Sequence, residues 1–307
     1  MVALVPHGTA SSRARRRQRG ITLVELLIAL LVLAIVVTLA SIGIVQALRV
    51  QSLNEANASL QGKLRRITEV ISQDLRSTVL GAVVATPMAS GANSVSFTIA
   101  EGGQGFQVLG ATNDTSSFAS ETSLRVVAAA ASATDLGMVG RSVLIVNGVG
   151  AGSMFEVTGA SSQGGTGNNR WFLQHAGCTN AIPFVEPMRL FVVDAVGYRR
   201  NASGDLERQV VGQAVQAMAF DLTAFELQYV YRDDTGALEV RNAPYLDGTV
   251  PLRVGGPGGN SVLDSLRVRV AAEQRIFGAV PIERSYSAQI AMPPSGTVNL
   301  RSVVTCP

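Results

Sequence analysis

Residues 15–48 read RRRQRGITLVELLIALLVLAIVVTLASIGIVQAL and decide the fold of this 307-residue chain. A basic cluster and a glycine precede a long apolar run, which a single acid, Glu25, interrupts. No charged residue lies between Leu26 and Leu48. At about 1.5 Å per residue, a helix of this length crosses a hydrocarbon core of roughly 30 Å. The run is longer than the apolar core of about 7–15 residues in a signal peptide, so we predict a membrane helix.

The basic character of the chain belongs to its first residues and not to its folded part. Five arginines and no acid lie before Ile21. Removing these five from the 25 basic residues leaves 20, against 22 acidic ones. Arginines before an apolar span hold the N-terminus in the cytoplasm, so we expect the remainder to be exported. A nucleic-acid-binding domain is therefore not indicated by charge, and a twin-arginine signal is disfavoured because no small-residue cleavage site ends the run.

The junction between the arginines and the apolar run carries a motif, Gly20-Ile21-Thr22-Leu23-Val24-Glu25. It resembles the processing site of type IV prepilins, which has a basic leader, a glycine, an apolar first mature residue and glutamate as the fifth. The resemblance implies that a membrane peptidase cuts between Gly20 and Ile21 and that Ile21 is N-methylated. Phenylalanine is the commoner first residue in that family, and Ile21 departs from it.

Glu25 has a physical role in this interpretation. Cleavage would create a positive amine at Ile21, about one helical turn away. When helices pack side by side in lipid, the carboxylate of one subunit can neutralise the amine of its neighbour, because leaving either charge alone in a low dielectric is costly. The alternative is that Glu25 lies at the interface and snorkels to water.

Beyond the membrane, an apolar stripe continues at helical spacing from Leu48 through Leu60 and Leu64 to Leu75. We therefore predict one helix over residues 21–81, of which 21–48 are transmembrane, with Gly81 as its C-terminal cap. After Pro87 the chain changes to short β-branched runs separated by glycine, serine and asparagine, which predict antiparallel strands. Strands are predicted at 94–99, 107–109, 123–129, 142–146, 154–158, 170–173, 189–194, 195–199, 206–211, 214–221, 226–232, 238–241, 263–271 and 286–291.

These elements predict an α+β fold, in which a long N-terminal helix packs on an antiparallel β-sheet that carries an extra β-rich insertion. The expected domains are a leader at 1–20, the helix at 21–81, the insertion at 82–194 and a C-terminal antiparallel β domain at 195–307. The hydrophobic and turn patterns of the central region resemble those of PilW-like minor pilins, over residues 140–148, 154–158, 172–177, 198–206 and 225–233. A related arrangement occurs in J-type minor pseudopilins of type II secretion.

The resemblance implies a structural subunit and not an enzyme, with no cofactor. Its partners would be other pilins and minor pilins, prepilin peptidase, the inner-membrane assembly platform and membrane lipid. We expect a single-pass inner-membrane protein with a periplasmic β domain, which enters a pilus or pseudopilus.

A third alternative is a minor pilin that binds DNA for a competence pilus, with Tyr198, Arg199 and Arg200 as a candidate stacking and charge platform. Ordinary strand residues with alternating faces would produce the same pattern.

The two cysteines, Cys178 and Cys306, would both lie on the exported side, where an oxidising compartment favours a disulfide. Two unpaired thiols are the alternative.

His175 and Cys178 form an H-x-x-C pair, but a structural zinc site usually needs four ligands, and His7 is the only other histidine in the chain. We therefore predict no metal site.

Overall fold

The computed structural model describes residues 22–100, 105–110, 117–163, 169–275, 280–293 and 300–306. The expected leader, including Gly20, and the expected first mature residue, Ile21, lie outside these described residues. The chain divides into two compact units, Met1–Asn54 and Glu55–Pro307.

The long helix, α1, runs over Leu23–Arg76. Its buried positions are Ala56, Leu60, Leu64, Ile67, Thr68, Ile71 and Leu75. From Ala56 onward they follow the predicted stripe with Thr68 added, whereas Leu48, the predicted first member, is exposed. The predicted end near residue 81 was wrong. The hydroxyls of Ser77 and Thr78 bond to the carbonyls of Asp74 and Leu75 and so satisfy the last turn, which needs no glycine cap. Gly81 instead lies inside the first strand.

The remaining elements among the described residues are a short helix, α2 (Ala133–Leu136), two 3-10 turns at Phe118–Ser120 and Pro257–Gly259, and eighteen strands. Up to the middle of the chain the strands are β1 (Thr78–Val84), β2 (Ser94–Ala100), β3 (Phe106–Leu109), β4 (Ser123–Val127), β5 (Ser142–Val146), β6 (Ala151–Ser162), β7 (Arg170–His175), β8 (Arg189–Arg200) and β9 (Leu206–Val210). They continue as β10 (Gln216–Ala219), β11 (Leu222–Arg232), β12 (Leu238–Arg241), β13 (Tyr245–Asp247), β14 (Val250–Leu252), β15 (Val254–Gly255), β16 (Ser261–Gln274), β17 (Ile282–Ala291) and β18 (Ser302–Thr305).

The predicted strands 189–194 and 195–199 are one strand, β8, and this strand organises the β region. The boundary expected between residues 194 and 195 falls within it. Its first part pairs with β3 and β5, and its second part pairs with β2 and β9. Its one glycine, Gly197, does not form a turn. It lies within the strand, where an added Cβ would approach the Ser96 hydroxyl to 2.8 Å.

The β-rich insertion closes into a six-stranded antiparallel barrel. The pairings run from β3 to β4, β7, β6, β5 and β8, and β8 then pairs with β3 again. Closure leaves this ring without free edges. Alternate side chains fill its interior, among them Val126, Phe155, Trp171 and Leu190.

A second sheet has the order β12–β11–β16, and β16 also pairs with β15 and β17. Its inner face shares one core with α1 and with β2, β8 and β9. The helix thus buries its apolar stripe against the β region from residue 56 onward, and the predicted α+β fold with a β-rich insertion is confirmed.

The C-terminus is fastened to the barrel. Strand β18 adds to β6 in parallel, and Cys306 forms a disulfide with Cys178, with their Cα atoms 5.9 Å apart. This is the pairing that the sequence suggested. It closes a loop of 128 residues, which restricts the unfolded chain.

Candidate assembly site at the N-terminus of the helix

The first turn of α1 is closed by reciprocal hydrogen bonds between Thr22 and Glu25. The backbone N–H of Glu25 donates to the Thr22 hydroxyl at 3.2 Å. In return, Glu25 Oε2 accepts from the Thr22 backbone N–H at 3.0 Å and from its hydroxyl at 3.2 Å. This is a capping box, which satisfies two backbone donors that the helix itself cannot.

The sequence interpretation missed this role of Glu25, although the spacing T-x-x-E at the start of an apolar helix signals it. The capping bonds point the carboxylate back along the helix toward Thr22, the residue directly after Ile21. The predicted contact with the Ile21 amine of a neighbour is not among the described contacts, and it stays a prediction. Within its own helix, the Glu25 carboxylate accepts hydrogen bonds at Oε2.

The helix surface that follows is apolar and open. From Leu23 to Val50 its large apolar side chains are between 48% and 79% exposed. The hydroxyls of Thr38 and Ser41 bond back to the carbonyls of Ala34 and Val37, so the helix satisfies its own polar side chains. By length and composition, α1 is the one helix among the described residues that could cross a membrane.

A family comparison gives this segment an independent assignment. Residues 15–41 match the family model of the prokaryotic N-terminal methylation motif. The match spans four of the five arginines, Gly20, Ile21, the capping box and about two thirds of the uncharged run from Leu26 to Leu48. No curated protein and no solved structure matches the chain. The chain thus carries a prepilin-type N-terminus, which supports a type IV pilin-like or pseudopilin-like role, membrane anchoring by one helix, processing by prepilin peptidase and assembly with other pilins.

The candidate DNA platform is not available for stacking. Tyr198 is fully buried, and its hydroxyl donates to Asp74 Oδ2 at 2.5 Å. Arg199 pairs with Glu207 at 2.7 Å, and the Arg200 Nε–H donates to the Leu222 carbonyl. The prediction was wrong because the strand alternation turns the Tyr198 ring toward the core. Tyr229 and Tyr231 are buried in the same way.

Tyr198 instead belongs to a polar junction with Asp74 and Arg208. The Arg208 Nε–H lies 3.1 Å from both the Asp74 carboxylate and the Tyr198 hydroxyl oxygen. Burial, together with the Asp74 carboxylate, raises the pKa of Tyr198, so its hydroxyl stays a donor. The junction ties the end of α1 to β8 and β9. It joins Asp74 to two residues more than 120 positions away in the chain, a contact that no local pattern predicts.

The H-x-x-C pair separates into two unrelated structural roles. Cys178 is in the disulfide, whereas His175 is buried, stacks on Phe155 at 3.9 Å between ring centroids and lies 2.9 Å from Asn180 Oδ1. Because the Asn180 amide donates to two backbone carbonyls, its oxygen faces the ring, and His175 Nε2 is the donor. Burial lowers the pKa of His175. The described residues contain no cluster of three or more His, Cys, Asp or Glu side chains that could hold a metal.

Proposed function

We propose that this chain is a minor type IV pilin of the PilW-like kind, a structural subunit that primes or tips a pilus. The observation that carries the proposal is the coincidence of the methylation-motif match with an open apolar helix that begins at a capping box. The same helix continues into the core of the β region, so it links the processed segment to a domain that can be displayed.

In this function the leader holds the N-terminus in the cytoplasm, and the β domain lies in the periplasm. Prepilin peptidase cuts between Gly20 and Ile21, and the new Ile21 amine is methylated. Glu25 then sets the register of the subunit by neutralising the amine of a neighbouring pilin in the assembly platform. The role is structural and needs no enzymatic activity.

The cleavage site can be tested with one substitution and a matched control. Gly20→Ala should leave the chain at precursor size on an immunoblot of the membrane fraction, because the peptidase requires the glycine. Gly43→Ala is the control, since it makes the same change within the apolar run, where nothing lies within 4 Å of the added Cβ. A Gly20→Ala protein of mature size would disprove the assignment of the site.

A gene deletion separates the branches of the proposal. Loss of surface pili and of twitching supports a minor pilin. Retention of secreted enzymes in the periplasm, with pili intact, would instead assign the chain to a type II secretion pseudopilus. Loss of transformation alone would indicate DNA uptake, which we do not favour because the aromatic platform is buried.

A further inference from the structure

One edge of the second sheet is open. Strand β17 pairs with β16 over ten consecutive residues without a register shift, and no other strand pairs with it among the described residues. All five residues from Glu283 to Ser287 are exposed. An open edge presents unpaired N–H and C=O groups to any extended chain that can reach it.

The residues that present these groups can be identified from the register. The Met292 N–H donates to the carbonyl of Asp264, the residue opposite it. In an antiparallel pair, bonded and non-bonded positions alternate, so residues 284, 286, 288 and 290 bond to β16. The N–H and C=O groups of Glu283, Ser285, Ser287 and Gln289 therefore point away from the sheet.

Among the described residues, the charges of this edge strand are confined to Glu283 and Arg284 at its beginning, and its longer remaining part lacks the features that normally prevent unwanted pairing. Natural edge strands are protected by charges, proline, bulges or a covering element. From Ser285 to Ala291 the strand has no charged residue, no proline and no bulge. An unprotected edge of this length is a hazard for aggregation unless a partner uses it.

A groove runs between the open strand and α1. Its volume is about 480 Å³, and it is lined by Thr68 and Ser72 of the helix and by Tyr286 and Ala288 of the strand. The lining is mostly polar, which suits a solvated peptide and not a membrane lipid.

The helix side of the groove is basic. Arg65 and Arg76 lie toward its two ends, and Glu69 is the one acid in its lining. Within the described part of the chain, neither arginine has a carboxylate partner. The two are eleven residues apart, or about 16 Å along the helix, which an extended strand covers in about five residues.

We propose that β17 and α1 form a docking slot for an extended acidic segment of another protein. The segment adds a strand to β17 through the outward groups of Ser285, Ser287 and Gln289. Its acidic side chains, four to six residues apart, face the helix and pair with Arg65 and Arg76. The backbone bonds supply affinity, and the arginines select charge and register. The slot lies within Glu55–Pro307 and does not depend on the proposed function.

The test uses the full chain in detergent and a fluorescein-labelled peptide, TVETTTEVT, followed by fluorescence anisotropy. We expect saturable binding that weakens with salt. The lysine peptide TVKTTTKVT should bind at least about tenfold more weakly. The double variant Arg65→Glu with Arg76→Glu should lose a similar factor, whereas Arg66→Glu, an exposed neighbour outside the groove, should leave binding unchanged.

The strand is tested separately from the charges. Ser287→Pro removes one outward N–H without removing a bond to β16, and Ser287→Ala is its control. If circular dichroism shows that the proline variant does not fold, the acidic peptide carrying alternate backbone N-methyl groups tests the same backbone pairing with the unchanged protein. This N-methylated peptide should not bind. Equal binding of both peptides, or full binding to the double arginine variant, would overturn the proposal. Self-association that the same variants abolish, measured by sedimentation, would also overturn it, since the occupant would then be a second copy.

Discussion

Glu25 holds two roles in this interpretation, and paired substitutions at the first turn of α1 separate them. Glu25→Gln removes the charge but keeps an oxygen that can accept from the Thr22 N–H, because glutamine also serves in capping boxes. Thr22→Ala removes the hydroxyl that caps Glu25 at 3.2 Å but leaves the carboxylate. Each variant therefore removes one role and leaves most of the other.

The two losses differ in size. A missing N-cap hydroxyl costs about 0.5–2 kcal/mol of helix stability, or roughly two- to thirtyfold in an equilibrium. Removing one partner of a buried ion pair costs about 3–5 kcal/mol, because the remaining charge stays unpaired in a low dielectric. If Glu25 neutralises the amine of a neighbour, Glu25→Gln should reduce incorporation at least about a hundredfold, well beyond Thr22→Ala.

The assay measures the ratio of sheared filament to membrane pool by immunoblot, in cells that still make the mature form of each variant. We expect Thr22→Ala to be incorporated at a reduced level and Glu25→Gln to stay in the membrane. Normal incorporation of Glu25→Gln together with failure of Thr22→Ala would refute the charge role and leave Glu25 as a helix cap only.

Three further predictions concern the folded β region. Tyr198→Phe removes the hydroxyl that donates to Asp74 and should lower the free energy of unfolding by about 1.5–3 kcal/mol. Urea titrations followed by near-UV circular dichroism measure this loss. In an Asp74→Asn background, Tyr198→Phe should cause little additional loss. Burial lowers the pKa of His175 below 6.5, so the unfolded chain binds more protons than the folded one as the pH drops below about 6.5. The melting temperature should therefore fall over that pH range. His175→Gln should make the melting temperature less dependent on pH. Replacing Cys178 and Cys306 with serine should cost about 2–5 kcal/mol, and a non-reduced digest of the parent should yield their linked peptide, whose absence would contradict the bond.

Local chemistry made several elements predictable from the sequence. Most predicted strands were located correctly, because alternating β-branched runs bounded by turn residues report a half-buried strand directly. The 238–241 run matched β12 residue for residue. The first strand was missed because Leu80 and Gly81 adopt positive φ at a break in its register with β2. That geometry is imposed by the pairing and does not follow from the residues alone.

The tyrosines show the same limit on the functional side. Tyr198 beside two arginines is compatible with a stacking platform or with a core position, and the sequence does not record which face of the strand is buried. That choice depends on Asp74 and Arg208, which the fold brings to the ring from other elements. The open edge at β17 likewise could not be predicted from the sequence, because a strand that pairs with an edge can come from any part of the chain.

The sequence by itself determined the N-terminal segment, since a membrane helix, its capping box and its processing motif depend on neighbours within one or two turns. Even there, the T-x-x-E spacing indicates the capping box, a role of Glu25 that the sequence interpretation missed. Only the tertiary structure decided that the insertion closes into a barrel, that β8 is one strand shared by two sets of pairings, and that α1 and β17 leave a basic groove. These features arise from contacts between residues far apart in the chain, whose register and burial are set by the packed whole.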